Sequence, residues 1–280
     1  MARYERTEGL CLRRVDYSNT SQVVSFLTPE SGRMSFMAKG VIRAPKRGVR
    51  CSFDLLERYD LVYARRSAGS LHNLTASTMA ESFPGIRKAV ERVLCACYAA
   101  ELVLRFTEEE DPCPRLYEVL LRTLRRLALG QSLGRSVLLL ELATLREHGS
   151  CPEFSACAEC GGTFGARERA LCAPAHGGPL CERCAQAAHK GPSNPLLPVS
   201  GRHLHLLARI AGLPPGAPDE PGIPPADVVA ASSVLHFHMR YLLGREMRMW
   251  KYLQDQHLSR TLKRIRRSAE PRRPGPAEAR

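Results

Sequence analysis

The sequence predicts an α+β protein: a five-stranded barrel at the N-terminal end, then an α-helical domain that carries an inserted metal-binding module. Three observations predict it. Residues 1–80 break into short segments rich in β-branched and aromatic residues with turn signals between them. Beyond "SFPG" the apolar residues recur at helical spacing, and two Cys-x-x-Cys pairs interrupt that pattern. A chain of 280 residues exceeds one ordinary core, so two or three modules are expected, each burying enough apolar surface to fold without disulfides.

The strands are read from "EGLCLRRVDY", "QVVSFLT", "RMSFMAKGVI", "CSFDLLERYDLVYARR" and "SLHNLTAS", with turns at "PESG" and "KRG". Five short strands in residues 1–80 fit a small barrel, with an OB-fold as the first assignment and an SH3-like barrel as the second. Seven of the sixteen Phe and Tyr residues fall here: Tyr4, Tyr17, Phe26, Phe36, Phe53, Tyr59 and Tyr63. Most belong to the core, and one or two are candidates for exposed stacking platforms.

The helical domain is assigned to residues 81–150 and 200–258. Ile86, Val90, Val93, Cys97, Ala100 and Leu104 alternate steps of four and three, which places them on one helix face. Leu116, Leu120, Thr123 and Leu127 repeat the pattern in a second helix. A third, from about Arg135 to His148, is apolar around more of its circumference and stops at Gly149, as a buried central helix would. The acidic run "TEEED" is read as a solvated loop. Ser200 is a cap for a helix running to Ala211, "PPGAPDEPGIPP" is a loop, and Pro225 opens a helix to Leu243. His203/His205 and His236/His238 stand two apart, on different helix faces, and are expected to be satisfied or exposed rather than ligands. Residues 259–280 form a basic, Pro-rich tail expected to be disordered.

Residues 151–199 are rich in Cys, Gly and Pro and read as a compact insertion without its own core. Five of the eleven cysteines lie between Cys157 and Cys184. In a reducing cytosol such cysteines indicate metal or redox chemistry, not disulfides. Cys157-x2-Cys160 and Cys181-x2-Cys184, twenty residues apart, supply the four soft ligands of one tetrahedral zinc ion. A competing set, Cys157, Cys160, Cys172 and His176, leaves Cys181 and Cys184 without a partner. A redox dithiol lacks its βαβ setting, and four thiolates leave no open position for catalysis, so the zinc is read as structural, one per chain. Arg167, Arg169 and Arg183 would ease its negative charge. The scattered Cys11, Cys51, Cys95, Cys97 and Cys113 are read as small core residues.

The net charge of +13 sits at the two ends. Residues 1–80 hold 13 Lys and Arg against 7 Asp and Glu, residues 200–280 hold 14 against 7, and the two stretches between are neutral. A polyanion such as nucleic acid is the natural partner. Arg13, Arg14, Lys39, Arg43, Lys46, Arg47 and Arg50 form the candidate contact set, with Arg43 to Arg50 as a basic loop between strands. No phosphate-binding G-x-x-x-x-G-K-[ST] loop, H-E-x-x-H, G-x-S-x-G or G-x-G-x-x-G after a strand occurs. No apolar run reaches membrane-spanning length and no signal-peptide pattern opens the chain, so a cytoplasmic protein is expected.

The order of parts resembles the bacterial RecO family of DNA repair proteins along essentially the whole chain. Thr7-Glu8-Gly9, Leu12-Arg13, Asp16-Tyr17, Leu27-Thr28, Gly32 and Ala38-Lys39-Gly40 carry the resemblance, with "CAECGG", "GGPLCERC" and "YLLGREMRMWKYL" further on. It implies an OB-fold, a helical domain and an inserted zinc module. It also implies a non-enzymatic mediator, monomeric on its own, that binds single- and double-stranded DNA and anneals complementary strands. The implied partners are RecR, the acidic C-terminal tail of single-strand-binding protein and, indirectly, RecA. Cys11 stands where the family usually has an aliphatic residue, and the basic tail departs from the family pattern. Two rival readings are a zinc-stabilised regulator that reads RNA or duplex sequence, and a nuclease or glycosylase with an unrecognised site.

Overall fold

A computed structural model describes residues 4–40, 53–66, 71–188, 195–213 and 223–254. The basic stretch with Arg43, Lys46, Arg47, Arg50 and Cys51, most of "PPGAPDEPGIPP" and the chain after residue 254 lie outside them.

Five strands, β1 (Tyr4–Asp16), β2 (Ser21–Thr28), β3 (Gly32–Lys39), β4 (Arg58–Ala64) and β5 (His72–Glu81), close into a barrel of order β1-β2-β3-β5-β4. β3 and β5 run parallel and every other pair is antiparallel, which is the connectivity of an OB-fold. β1 is long enough to serve two neighbours: Tyr4 to Leu10 pairs with β4, and Leu10 to Asp16 pairs with β2. A bulge between Cys11 and Arg13 bends the strand where it changes partner. Alternation fills the interior with Cys11, Val24, Phe26, Met34, Phe36, Phe53, Tyr59 and Tyr63. Phe26 meets Phe36, Phe53 and Tyr59 edge-to-face at 5.7–5.8 Å between centroids, the geometry that ring quadrupoles favour. Burial pushes the Cys11 thiol up to about 12, so it packs there as a neutral hydrophobe.

A 3-10 turn (Pro84–Lys88) leads into α1 (Val90–Phe106), α2 (Pro114–Leu129) and α3 (Leu133–Glu147). α2 buries Leu116, Leu120, Thr123 and Leu127, the stripe its period predicts. α1 does not. It buries Cys95, Ala96, Tyr98, Ala99, Leu102, Val103 and Phe106 together with Ala100 of the expected stripe, while Val90 is exposed and Val93, Cys97 and Leu104 are half-buried. Ile86 belongs to the turn before the helix. α1 is apolar around most of its circumference, so period alone could not choose its inner face; packing against α3 and β1 does. α3 is the buried central helix, and Gly149 takes φ +72 at its end.

Barrel and helices share one core. Leu10, Leu12 and Leu27 point outward from β1 and β2 into the cluster formed by α1, α2 and α3. Around this plug runs a polar chain. Arg58 donates to Glu8 at 2.5 Å, the Tyr117 hydroxyl donates to the other Glu8 oxygen at 2.8 Å, and Arg125 donates twice to Glu81, which also faces Arg58. The turn between β2 and β3 presses on the loop after α1 so closely that a Cβ on Gly32, at φ +61, would fall 1.7 Å from the Asp111 carbonyl oxygen. That loop holds the acidic run, which is only partly solvated: Glu110 pairs with Arg65 of the barrel.

The insertion contributes β6 (Arg169–Ala173), β7 (Gly178–Cys181), α4 (Glu182–Ala188) and β8 (Leu197–Ser200) in a sheet of order β7-β6-β8. Its Phe154, Phe164, Leu180 and Val199 join the helical core. α5 (Gly201–Gly212) and α6 (Pro225–Leu243) follow. Ser200 is the residue before α5, but its hydroxyl pairs with the His203 ring at 2.9 Å and makes no cap bond. The remaining histidines of the two pairs are held as well: His205 by the Phe164 carbonyl, His236 by Glu246 and His238 by the Ser150 carbonyl. Among the described residues no helix is long and apolar enough to cross a membrane.

Glu141 lies wholly buried where α1, α3 and α6 meet, accepting from Tyr98 at 2.7 Å and Ser232 at 2.8 Å. Burial raises its carboxyl to about 7, only partly countered by the two donors. The folded state therefore holds this proton more tightly than the unfolded chain, and Glu141 costs stability as pH rises from about 4.5 through 7. Glu141→Gln keeps partners for both neighbours without the charge. In urea unfolding it should gain up to about 3 kcal/mol over wild type at pH 8, with the gain vanishing below pH 5.

Candidate nucleic-acid interface and cysteine cluster

Away from the helical core, the barrel wall carries outward residues from the start of β2, the end of β3 and the start of β5. Val23 pairs with Met37, Met37 with Asn73, and Ser21 with Lys39. On this wall, between the β1–β2 turn and the residues Arg66 and Leu71, lies a cleft of about 500 Å³. Tyr17, Ser21, Met37, Lys39, Arg66 and Asn73 line it. Tyr17 is 69% exposed, whereas five of the seven barrel aromatics are buried. Its ring, two cations and an amide on one open surface provide a stacking face, phosphate partners and a hydrogen-bonding edge.

Beyond the bulge in β1, strand alternation sets the two neighbouring arginines of the contact set on opposite sides. Arg13 pairs with Ser25 on the outer wall and is exposed. Arg14 pairs with Val24 and is exposed too, its guanidinium donating to the Phe53 carbonyl at 2.5 Å at the barrel end. Lys39 lies in the cleft. Arg43, Lys46, Arg47 and Arg50 lie outside the described residues. Arg66 and Asn73 escaped sequence reasoning because the cleft gathers positions that are far apart along the chain. The Arg65-Arg66 doublet at a strand end was the available signal.

In the insertion, one ligand atom from each of Cys157, Cys160, Cys181 and Cys184 lies within 4.8 Å of the others. A tetrahedral zinc site with bonds of about 2.3 Å places its sulfurs about 3.8 Å apart, and Cys160 and Cys181 stand at 3.9 Å. The local backbone makes this possible. Gly161, at φ +70, lets its N–H reach back to the Cys157 carbonyl at 2.9 Å and closes the first turn. Cys181 ends β7 and Cys184 sits in the first turn of α4, which brings the second pair onto the first. The Cys181 N–H donates to Cys157 Sγ at 3.4 Å. Burial works against the Cys157 thiolate, but backbone donors at Cys160, Cys181 and Glu159 outweigh it and bring the thiol down to about 6. Such donors prepare sulfur to bind a cation.

Cys172 and His176 do not join this group. Cys172 faces the core of β6, where burial pushes its thiol up to about 12, and His176 pairs with the Glu159 carboxylate at 2.6 Å. The four paired cysteines could hold a metal ion, and the competing set is not brought together.

The combination defines a class: an OB-fold protein with a fused helical domain and an inserted four-cysteine module. Comparison with known proteins narrows it. The model for Recombination protein O N terminal matches residues 1–83, and that for Recombination protein O C terminal matches residues 87–251. Similar proteins named DNA repair protein RecO include one from Anaeromyxobacter sp. (strain Fw109-5), 32% identical over 88% of this chain and 94% of its own. Another from Roseiflexus sp. (strain RS-1) is 32% identical over 90% and 86%, and one from Myxococcus xanthus (strain DK1622) is 30% identical over 89% and 96%. The chain belongs to the RecO family of DNA repair and recombination proteins.

Titration with cobalt(II) under reducing conditions tests the ligand set. Wild type and Cys172→Ser should both give the absorption of a four-sulfur site with one metal per chain, and Cys181→Ser should lose it and melt earlier.

Proposed function

We propose that the chain is a non-enzymatic recombination mediator that binds single- and double-stranded DNA and anneals complementary strands. With RecR it helps to place RecA on gaps coated by single-strand-binding protein, whose acidic tail it engages, in the cytoplasm on nucleoid DNA. The observation that carries this reading is the open cleft on the barrel wall with Tyr17, Lys39 and Arg66 around it. OB-folds take oligonucleotides on the face of strands two and three, between the first and fourth connections, and the cleft occupies that position. Family membership supports the repair role.

Annealing makes and breaks no covalent bond. It requires two strands to be held close with their repulsion screened and their bases accessible. Tyr17 stacks a base, while Lys39, Arg66 and Arg13 neutralise phosphates and release counterions. Arg43, Lys46, Arg47 and Arg50, which follow β3 in the sequence, extend this cationic path, and Arg14 steadies the barrel end next to it. The cysteine cluster holds one structural zinc ion. It clamps two short turns that have little apolar surface of their own, and full sulfur coordination leaves it no catalytic part.

The decisive assay mixes purified protein with complementary oligonucleotides, one coated with single-strand-binding protein, without nucleotide. Faster annealing with intact strands is expected; no acceleration, or cleavage of either strand, contradicts the reading. Replacing Tyr17 and Lys39 together by Ala should weaken single-strand binding by roughly tenfold or more and lower the salt dependence by about one phosphate contact.

A further inference from the structure

His72 opens β5 directly after the β4–β5 connection, and residues on both sides of that connection, Arg66 and Leu71, line the cleft. The imidazole is 1% exposed, tilted against the rings of Phe36 and Tyr63 at 5.8 and 5.5 Å. Its Nδ1 accepts the Arg66 N–H at 3.1 Å. A backbone amide can only donate, so this bond leaves Nδ1 bare and puts the ring proton on Nε2. Nε2 lies 3.2 Å from Glu110 Oε1, off the line of a good hydrogen bond. The other Glu110 oxygen takes Arg65 at 3.1 Å, and Arg65 reaches Glu5, where the Tyr63 hydroxyl also donates. Glu110 stands in the connection between α1 and α2 at φ +59, a left-handed conformation that a residue with a Cβ keeps only where its surroundings hold it. Its N–H is bound by the Arg33 carbonyl of β3 at 2.8 Å.

We propose that His72 is a positioning residue for nucleic acid. By accepting the Arg66 N–H it fixes the start of the β4–β5 connection, and with it the Arg66 cation, at the cleft edge. The preceding residue, Arg65, ties that edge to Glu110 in the connection between α1 and α2. The proposal rests on the reading of the cleft as the nucleic-acid site. A side chain that only filled space between Phe36 and Tyr63 would need no particular nitrogen as acceptor, and this difference can be measured.

His72→Asn places an amide oxygen near the position of Nδ1, whereas His72→Gln reaches the position of Nε2. Both lose the ring, so their melting temperatures should fall together. With an oligo-dT probe, His72→Asn should bind close to wild type, while His72→Gln should bind roughly tenfold weaker with a salt slope lower by about one contact. Amide exchange at Arg66 should accelerate in His72→Gln alone. Tyr17→Ala and Lys39→Ala run in parallel. If these two weaken binding while the two His72 variants bind alike, the positioning role is overturned and the cleft stands. If none of the four changes binding, the cleft reading falls and the proposal falls with it. Should neither His72 variant fold, nitrogen-detected NMR of the wild-type imidazole decides: a bare Nδ1 at neutral pH supports the proposal, and a proton on Nδ1 overturns it.

Discussion

Glu8 is the side chain on which the arrangement of the two large domains turns. Its two carboxylate oxygens are divided between Arg58 of β4 and Tyr117 of α2, so one residue of β1 addresses both the barrel and the helices. The chain continues through Arg58 to Glu81 and from Glu81 to Arg125. Isolated ion pairs at such half-exposed positions are each worth about 1 kcal/mol or less. Here they alternate in sign around the apolar plug of Leu10, Leu12 and Leu27 and fix the angle at which the plug enters the helical core. A closed barrel has one continuous outer wall. Committing the outward residues of β1 and the Leu27 end of β2 to the helices leaves the other end of the β2–β3–β5 wall, with its cleft, as the open side.

The insertion is positioned by the same economy of shared core. Its sheet lends Phe154, Phe164 and Leu180 to the helical cluster, and the start of α5 is bound to its loop through Gly201 and Arg202 N–H bonds to Glu168 and Ala166. A Cβ on Gly201 would lie 2.0 Å from the Gly165 carbonyl oxygen, so these backbones touch where only glycine fits. The cysteine cluster joins the end of β7 and the start of α4 to the Cys157–Cys160 turn within this insertion, far in sequence from the barrel wall where nucleic acid is proposed to bind.

Much of this was legible in the sequence because the signals are local. Strand alternation exposes the barrel, and two Cys-x-x-Cys pairs announce the cluster by spacing alone. The rest depends on contacts that no short window contains. The inner face of α1 is selected by Tyr98 reaching Glu141 and by packing on β1, since the helix is apolar nearly all round. The bulge at Cys11 to Arg13 shifts the alternation of β1 by one residue and so decides which of the two arginines faces outward, and nothing in "CLRRV" marks it. The cleft unites Tyr17, Lys39, Arg66 and Asn73 only once β3 and β5 pair in parallel. His72 reads as an ordinary strand residue until the Arg66 amide is found on its ring.

The central claim is that the helix-free wall of the barrel is the nucleic-acid surface, and hydrogen–deuterium exchange with and without a short single-stranded oligonucleotide tests it most directly. Slower exchange is expected in segments 13–23, 37–40 and 65–75, with the segment around the cysteine cluster, 157–184, unchanged. Protection confined to the cysteine module or to α5 and α6 would contradict the account.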